Sequence, residues 1–307
     1  MNGFLLALVA PALWAISNHF DRYIVSKYFK NAGVGTMMIF SSFIGVAVLP
    51  VSLFMQKEAF SISPVTALLI ALNGCLYLVS VLPYLLALKK SDATVAVPMF
   101  QLIPVISFVL GWVFLGETLT SHQIIGGLLI VLGAIIISFE MEEGKKFKVR
   151  KDVLWLMFAS SLLYSFHFLI FKVFAKDTQF WTTEMWENVG FIFFGLFLVF
   201  GVRKYRQEFT SIIRTKGKPV IALNTLNEVV NITAKVVFNY ATLLVPLALS
   251  WVAVGFQPVF VLIYSVFLAI FFPHISNEKV LGKHLVQKLA SIAIMIIGVY
   301  ILHAGGF

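Results

Sequence analysis

Ten apolar stretches, most of them close to twenty residues long, constrain this chain more than any motif in it. They cover about residues 3–28, 34–55, 64–88, 93–115, 123–139, 153–174, 185–202, 219–244, 246–272 and 285–303. A helix rises 1.5 Å per residue, so about 20 apolar residues cross a hydrocarbon core of ~30 Å. Open sheet edges find no hydrogen-bond partners in lipid. Barrel strands would read as alternating segments of ~10 residues, a pattern absent here. The stretches therefore predict transmembrane helices. Composition points the same way, with 60% hydrophobic and only 12% charged residues and a mean hydropathy of +0.95. Soluble domains carry about 25% charged residues, and a soluble chain this apolar would aggregate.

The net charge of +9 raises the question of nucleic acid, but the basic residues lie in the loops, where membrane topology explains them. Nineteen of the 23 Lys and Arg residues fall in the loops after the first, third, fifth, seventh and ninth stretches, and three fall in the others. Cytoplasmic loops are enriched in Lys and Arg. That bias predicts cytoplasmic odd loops and both termini outside, in a bacterial or archaeal plasma membrane. The N-terminus has no basic region and no small-residue cleavage site, and reads as a first span. A single cysteine, Cys75, excludes an intrachain disulfide and a Cys-based metal site.

The charged stretch at residues 141–152 divides the chain into two halves, 1–140 and 153–307, each with five spans. Tyr84 precedes Phe100, Gln101 and Pro104 as Tyr240 precedes Phe256, Gln257 and Pro258, and Gly133 and Gly298 lie late in the last span of each half. Five spans per half force the second half to enter from the opposite side. The expected architecture is all-α, a polytopic membrane protein of ten transmembrane helices in two inverted five-helix repeats, a device of secondary transporters.

Polar residues inside the spans mark the candidate substrate path. Asn224, Glu228, Asn231, Lys235 and Asn239 follow at steps of three or four and share one helix face. A central charge facing lipid costs about 2.5–3.5 kcal/mol on insertion scales, so this stripe should face the bundle interior. Glu228 and Lys235 can bind opposite ends of a zwitterionic solute; the stripe also fits a structural seam between helices. The sixth span holds Tyr164, His167 and Lys172. His167 suits a proton relay, and Lys172 is expected to snorkel to the interface. Trp14, Ser17 and Asp21 line the first span, and Gln101 and Gln257 lie beside prolines in the related fourth and ninth spans. Pro104 and Pro258 remove backbone donors and are candidate hinges. Tyr84 and Tyr240 can stack on a solute. Glu117 is expected to cap the following helix, and Glu184 and Glu187 to suit the N-terminus of the seventh.

Residues 87–137 resemble the repeat of the EamA family, in the drug/metabolite transporter superfamily, through Ala87-Leu88, Pro104, Phe114-Leu115-Gly116-Glu117, Gly126-Gly127 and Gly133. The Trp14 region also fits. The second half is similar at Tyr240-Ala241, Pro258, Phe267-Leu268 and Gly298, but Ala269-Ile270 stands where a Gly-Glu pair would follow. The resemblance implies ten helices around a central path, and a secondary transporter, exporter or exchanger, of a small organic solute such as an amino acid or metabolite. A lipid-linked sugar or phospholipid flippase on the same fold is the alternative. Bacterial relatives with cytoplasmic termini would sit upside down relative to the charge bias here. No phosphate-binding GxxxxGK[ST] loop and no HExxH spacing is present, so neither an enzyme nor an ATP-driven pump is expected, and no catalytic residue, metal or cofactor is assigned. The expected partners are a small-molecule solute and the bilayer, with a coupling proton as a further candidate and no nucleic acid.

Overall fold

A computed structural model describes residues 2–28, 34–88, 97–138, 151–271 and 285–304. Among them the regular elements are all helical: α1 (Asn2–Tyr28), α2 (Val34–Phe43), α3 (Gly45–Met55), α4 (Pro64–Leu88), a 3-10 turn (Val97–Gln101), α5 (Leu102–Leu115), α6 (Ser121–Ser138), α7 (Lys151–Thr178), α8 (Phe180–Gly201), α9 (Arg203–Leu244), α10 (Leu247–Val254), α11 (Gln257–Phe271) and α12 (Leu285–Ala304). Eight helical segments are long and apolar enough to cross a membrane, and two further apolar helices, Met99–Leu115 and Ser121–Ile137, are shorter. Phe54, Leu68, Trp112, Phe193, Phe197, Phe200 and Ile296 stand exposed on their outer faces. Water would not tolerate that belt, whereas hydrocarbon does. The chain is a polytopic integral membrane protein. The charged linker falls almost entirely outside the described residues, as do the basic residues Lys89, Lys90, Lys279 and Lys283.

Helices from the two halves interleave. α6 packs along α12, α1 along α9, and α4 against both α7 and α8, while α5 meets α7 and α10. Without water to drive helices together inside a membrane, close backbone approach through small residues does much of the work. A Cβ on Gly126 would lie 2.5 Å from the Gly298 carbonyl oxygen, and one on Gly298 would lie 2.8 Å from that of Gly126. In the same way, side chains at Gly74 and Gly190 would run into the carbonyl oxygens of Glu187 and Ala71, which seats α8 tightly on α4.

Two places depart from the sequence expectation. Residues 203–216 form a helix, not a basic loop. Tyr205, Phe209 and Ile212 recur at steps of four and three and pack against the core around Phe40, and Arg203, Lys204, Arg206 and Arg214 point outward. This is the pattern of a helix lying along a membrane surface. It turns into the bundle at Gly217, whose φ of 64° and ψ of −153° suit a residue without a Cβ. The prolines of the fourth and ninth spans also behave differently. Pro104 and Pro258 lie in the first turns of α5 and α11, where the missing N–H breaks no helical hydrogen bond. The helix breaks themselves fall just before them, at the 3-10 turn and at Gly255-Phe256.

Candidate functional site

The polar stripe on α9 does turn inward. Lys235 is 2% exposed, and its ammonium donates to Glu187 Oε2 at 2.5 Å and Glu184 Oε2 at 3.5 Å. One turn on, Asn239 Nδ2 donates to Glu184 Oε1 at 2.5 Å. The rings of Tyr77, Phe171 and Phe191 surround the ammonium at 5.2–5.8 Å from their centroids, within reach of cation–π attraction. On α7, His167 is fully buried, and its Nδ1 lies 3.1 Å from the Asn73 carbonyl oxygen. Asn73 Nδ2 donates back to the His167 carbonyl at 3.1 Å and reaches Glu187 Oε1 at 3.5 Å. His167 Nε2 lies 3.2 Å from Glu187 Oε1, close enough for charge pairing but without hydrogen-bond alignment.

Glu184 and Glu187 are therefore a correction to the sequence reading, which left them as helix-start residues. α8 begins a turn earlier than hydropathy suggests, at Phe180, after a turn in which Gln179 takes a φ of 82°. That earlier start carries both carboxylates into the bundle, each 0% exposed. The sequence signal that could have found them is their i, i+3 spacing, which puts both on one face. Lys172 and Glu117 are corrected too. Lys172 is buried rather than snorkelling: it pairs with Glu117 and donates to the Val245 carbonyl oxygen at 2.8 Å. Glu117 Oε2 also accepts the Leu247 N–H at 2.8 Å. The cap of α6 is instead Thr120, whose Oγ1 accepts the Gln123 N–H while Gln123 Oε1 accepts the Thr120 N–H, a reciprocal capping box. Gly116, at φ 64°, ends α5 in the left-handed conformation that glycine favours and aims Glu117 at α7 and α10.

The remaining sequence candidates fall into three groups. Ser17 donates to Asn227 Oδ1 at 2.7 Å, and Asn227 donates to Asp21 at 2.6 Å, which ties α1 to α9. Glu228 accepts from Ser41 at 2.6 Å, and Asn224 is buried on the same helix. Asn231 lies between them and Lys235 and is half-buried. A second group is aromatic. Tyr164 sits among Tyr77, Phe100 and Trp251 at 5.6, 6.0 and 6.4 Å between centroids. Trp14 packs on Phe238 at 5.5 Å and Tyr84 on Phe100 at 4.9 Å. The half-buried Gln101 closes the 3-10 turn beside this cluster, and its Oε1 has no hydrogen-bond partner among the described residues. The third group is peripheral: Gln257 is half-buried at the start of α11, and Tyr240 is 46% exposed with its ring on Phe180. Tyr77 and Trp251, at the centre of the aromatic group, complete it.

Residues 1–139 match the EamA-like transporter family. Through these residues, just under half of its length, the chain is similar to that family. A probable amino-acid metabolite efflux pump of Salmonella typhimurium is 29% identical over 144 residues, which are 44% of this chain and 48% of that protein. The match thus spans about half the length of that curated relative. A crystal structure aligns over 99% of this chain and 96% of its own, with a TM-score of 0.64 at 15% identity, a likeness of fold alone.

Proposed function

We propose that this chain is a secondary transporter, not an enzyme, that exports or exchanges a small organic solute such as an amino acid or metabolite. The observation that carries the reading is the buried polar network. Charged side chains inside a membrane protein are costly and mark solute or ion paths, and here Lys235, Glu184, Glu187 and His167 meet where three helices join, with Asn73 reaching in from a fourth. The efflux role of the Salmonella relative supports the solute class. Ten transmembrane helices in two inverted repeats fit the helix packing. When each span is exchanged with the one five places along, the pairings of α1 with α9 and of α4 with α7 trade places, and that of α6 with α12 maps onto itself. Alternating access is then a rocking of one repeat against the other, with the breaks before Pro104 and Pro258 as hinges and Asn231, Tyr164, Gln101, Trp14 and Tyr84 along the path.

The test is counterflow in vesicles reconstituted with the purified protein, against a panel of amino acids and metabolites. The wild type should exchange at least one member, and Asn231→Leu should lower that exchange at least about tenfold at equal insertion. Exchange untouched by Asn231→Leu removes that face of α9 from the path. Movement of a lipid-linked sugar or phospholipid, with no panel member exchanged, replaces the solute reading with a flippase.

A further inference from the structure

With both carboxylates ionised and His167 neutral, the cluster around Lys235 is one proton short of what its geometry asks for. His167 Nδ1 faces the Asn73 carbonyl oxygen, 3.1 Å away. A carbonyl only accepts, so the ring must carry its proton on Nδ1. In a neutral imidazole Nε2 is then a lone pair, and it faces Glu187 Oε1 at 3.2 Å. Two acceptors face each other there unless one of them carries a proton.

Charge leads to the same count. Glu184 and Glu187 are both 0% exposed and share one ammonium, that of Lys235. Two carboxylates against one cation leave a net negative charge in a site closed to water, which is costly unless neutralised. One added proton makes the group neutral. The amides do not supply it. Asn73, Asn188 and Asn239 each direct an NH2 group at one of the two carboxylates, and the Oδ1 atoms of all three remain buried without a hydrogen-bond partner. Acceptors outnumber donors throughout.

The other groups facing His167 do not change this balance. From α4 the Tyr77 ring lies 5.0 Å away; from α8 come Glu184 and Glu187, and from α9 Lys235. Glu228, two turns before Lys235, is held by Ser41. Glu117 on the far side of α7 is engaged by Lys172 and the Leu247 N–H.

We infer that this cluster is a proton-binding site, in which the His167–Glu187 pair carries one exchangeable proton, on His167 Nε2 or on the Glu187 carboxyl; its use as the coupling ion rests on the transport reading above. The site draws on both halves of the chain, Asn73 from the first and His167, Glu187 and Lys235 from the second. Any motion that parts α4 from α7 and α8 removes the Asn73 carbonyl that fixes the imidazole tautomer and lets the proton leave. Binding and release then alternate with the position of the two halves.

Infrared difference spectroscopy of the full chain in lipid, titrated over pH, reads the proton without needing a transported solute. The expected result for the wild type is a single step in which a protonated-carboxyl band and an imidazole band change together. Glu187→Gln should remove the carboxyl band, and His167→Gln should shift its step. A wild-type protein in which no buried carboxyl titrates overturns the site, as does a step unchanged in both variants. So does a change that follows sodium rather than pH. In parallel, vesicles loaded with an amino-acid mixture and a pH-sensitive dye report coupling. Solute flux indifferent to a pH gradient, with the infrared step intact, overturns the coupling role and spares the transport reading. No flux of any solute with the step intact sinks the transport reading and spares the site.

Discussion

Lys172 and Glu117 lie 55 residues apart in the chain, yet they form a buried clamp that also holds the Val245 carbonyl and the Leu247 N–H. Their side chains are 3% and 14% exposed. Removing one partner of such a pair leaves an uncompensated buried charge, a loss of about 3–5 kcal/mol. Lys172→Met should therefore lower stability in detergent by about that amount, read as a fall in the thermal unfolding midpoint. Adding Glu117→Gln should recover most of it, because the neutral amide still accepts the Leu247 N–H. A single Lys172→Met variant as stable as the wild type would show that the clamp contributes nothing. This pair also marks the limit of what could be read from sequence. The α9 stripe was legible, because its steps of three and four place it on one face whatever the neighbours are. The partners were not. Glu184 and Glu187 carry the same residue type that suits any helix start, and Lys172 sits where a lysine commonly snorkels. Which face meets which helix is a long-range fact with no spacing of its own.

At the scale of the element, hydropathy located the eight long apolar helices, because lipid imposes one length and one polarity on a span. It failed at residues 203–216, where Arg203, Lys204, Arg206 and Arg214 mask the recurrence of Tyr205, Phe209 and Ile212. A surface helix needs only a narrow apolar face, and average polarity hides it. Packing between elements rests on glycine instead. At Gly190 any side chain meets the Ala71 backbone, whereas a Cβ on Gly127 would lie 3.4 Å from Val252 Cγ2, within ordinary contact. Gly190→Leu should push α8 off α4 and cost about 3 kcal/mol or more, at the upper end of overpacking effects. It should also weaken the Glu187 contacts one turn away. Gly127→Ala should be neutral or raise the midpoint slightly, since alanine favours a helix by up to about 1 kcal/mol over glycine. Thermal unfolding of the two variants side by side separates the cases. Equal midpoints would mean that α8 is free to shift and that the close approach is not structural.

At the scale of the whole molecule, orientation decides which way a solute and a proton can move. The helix at residues 203–216 presents Arg203, Lys204, Arg206 and Arg214 outward, ahead of the turn at Gly217. Anionic lipid at the cytoplasmic face attracts such segments, by about 1 kcal/mol per basic residue near the surface. Together with the loop bias, this leads us to propose that the 203–218 face is cytoplasmic and the Ser63 end of α4 outside. The proton cluster then lies toward the outer face. Glu184 is one turn into α8 and Lys235 nine residues short of the end of α9, roughly 6 and 13 Å along helices rising 1.5 Å per residue. The Glu117–Lys172 clamp closes the same end. Cysteine labelling tests the assignment directly. In a Cys75→Ser background, Ser63→Cys should react with a membrane-impermeant maleimide in intact cells, and Ser211→Cys only after permeabilisation. The reverse pattern puts both termini inside and moves the clamp and the proton site to the cytoplasmic end.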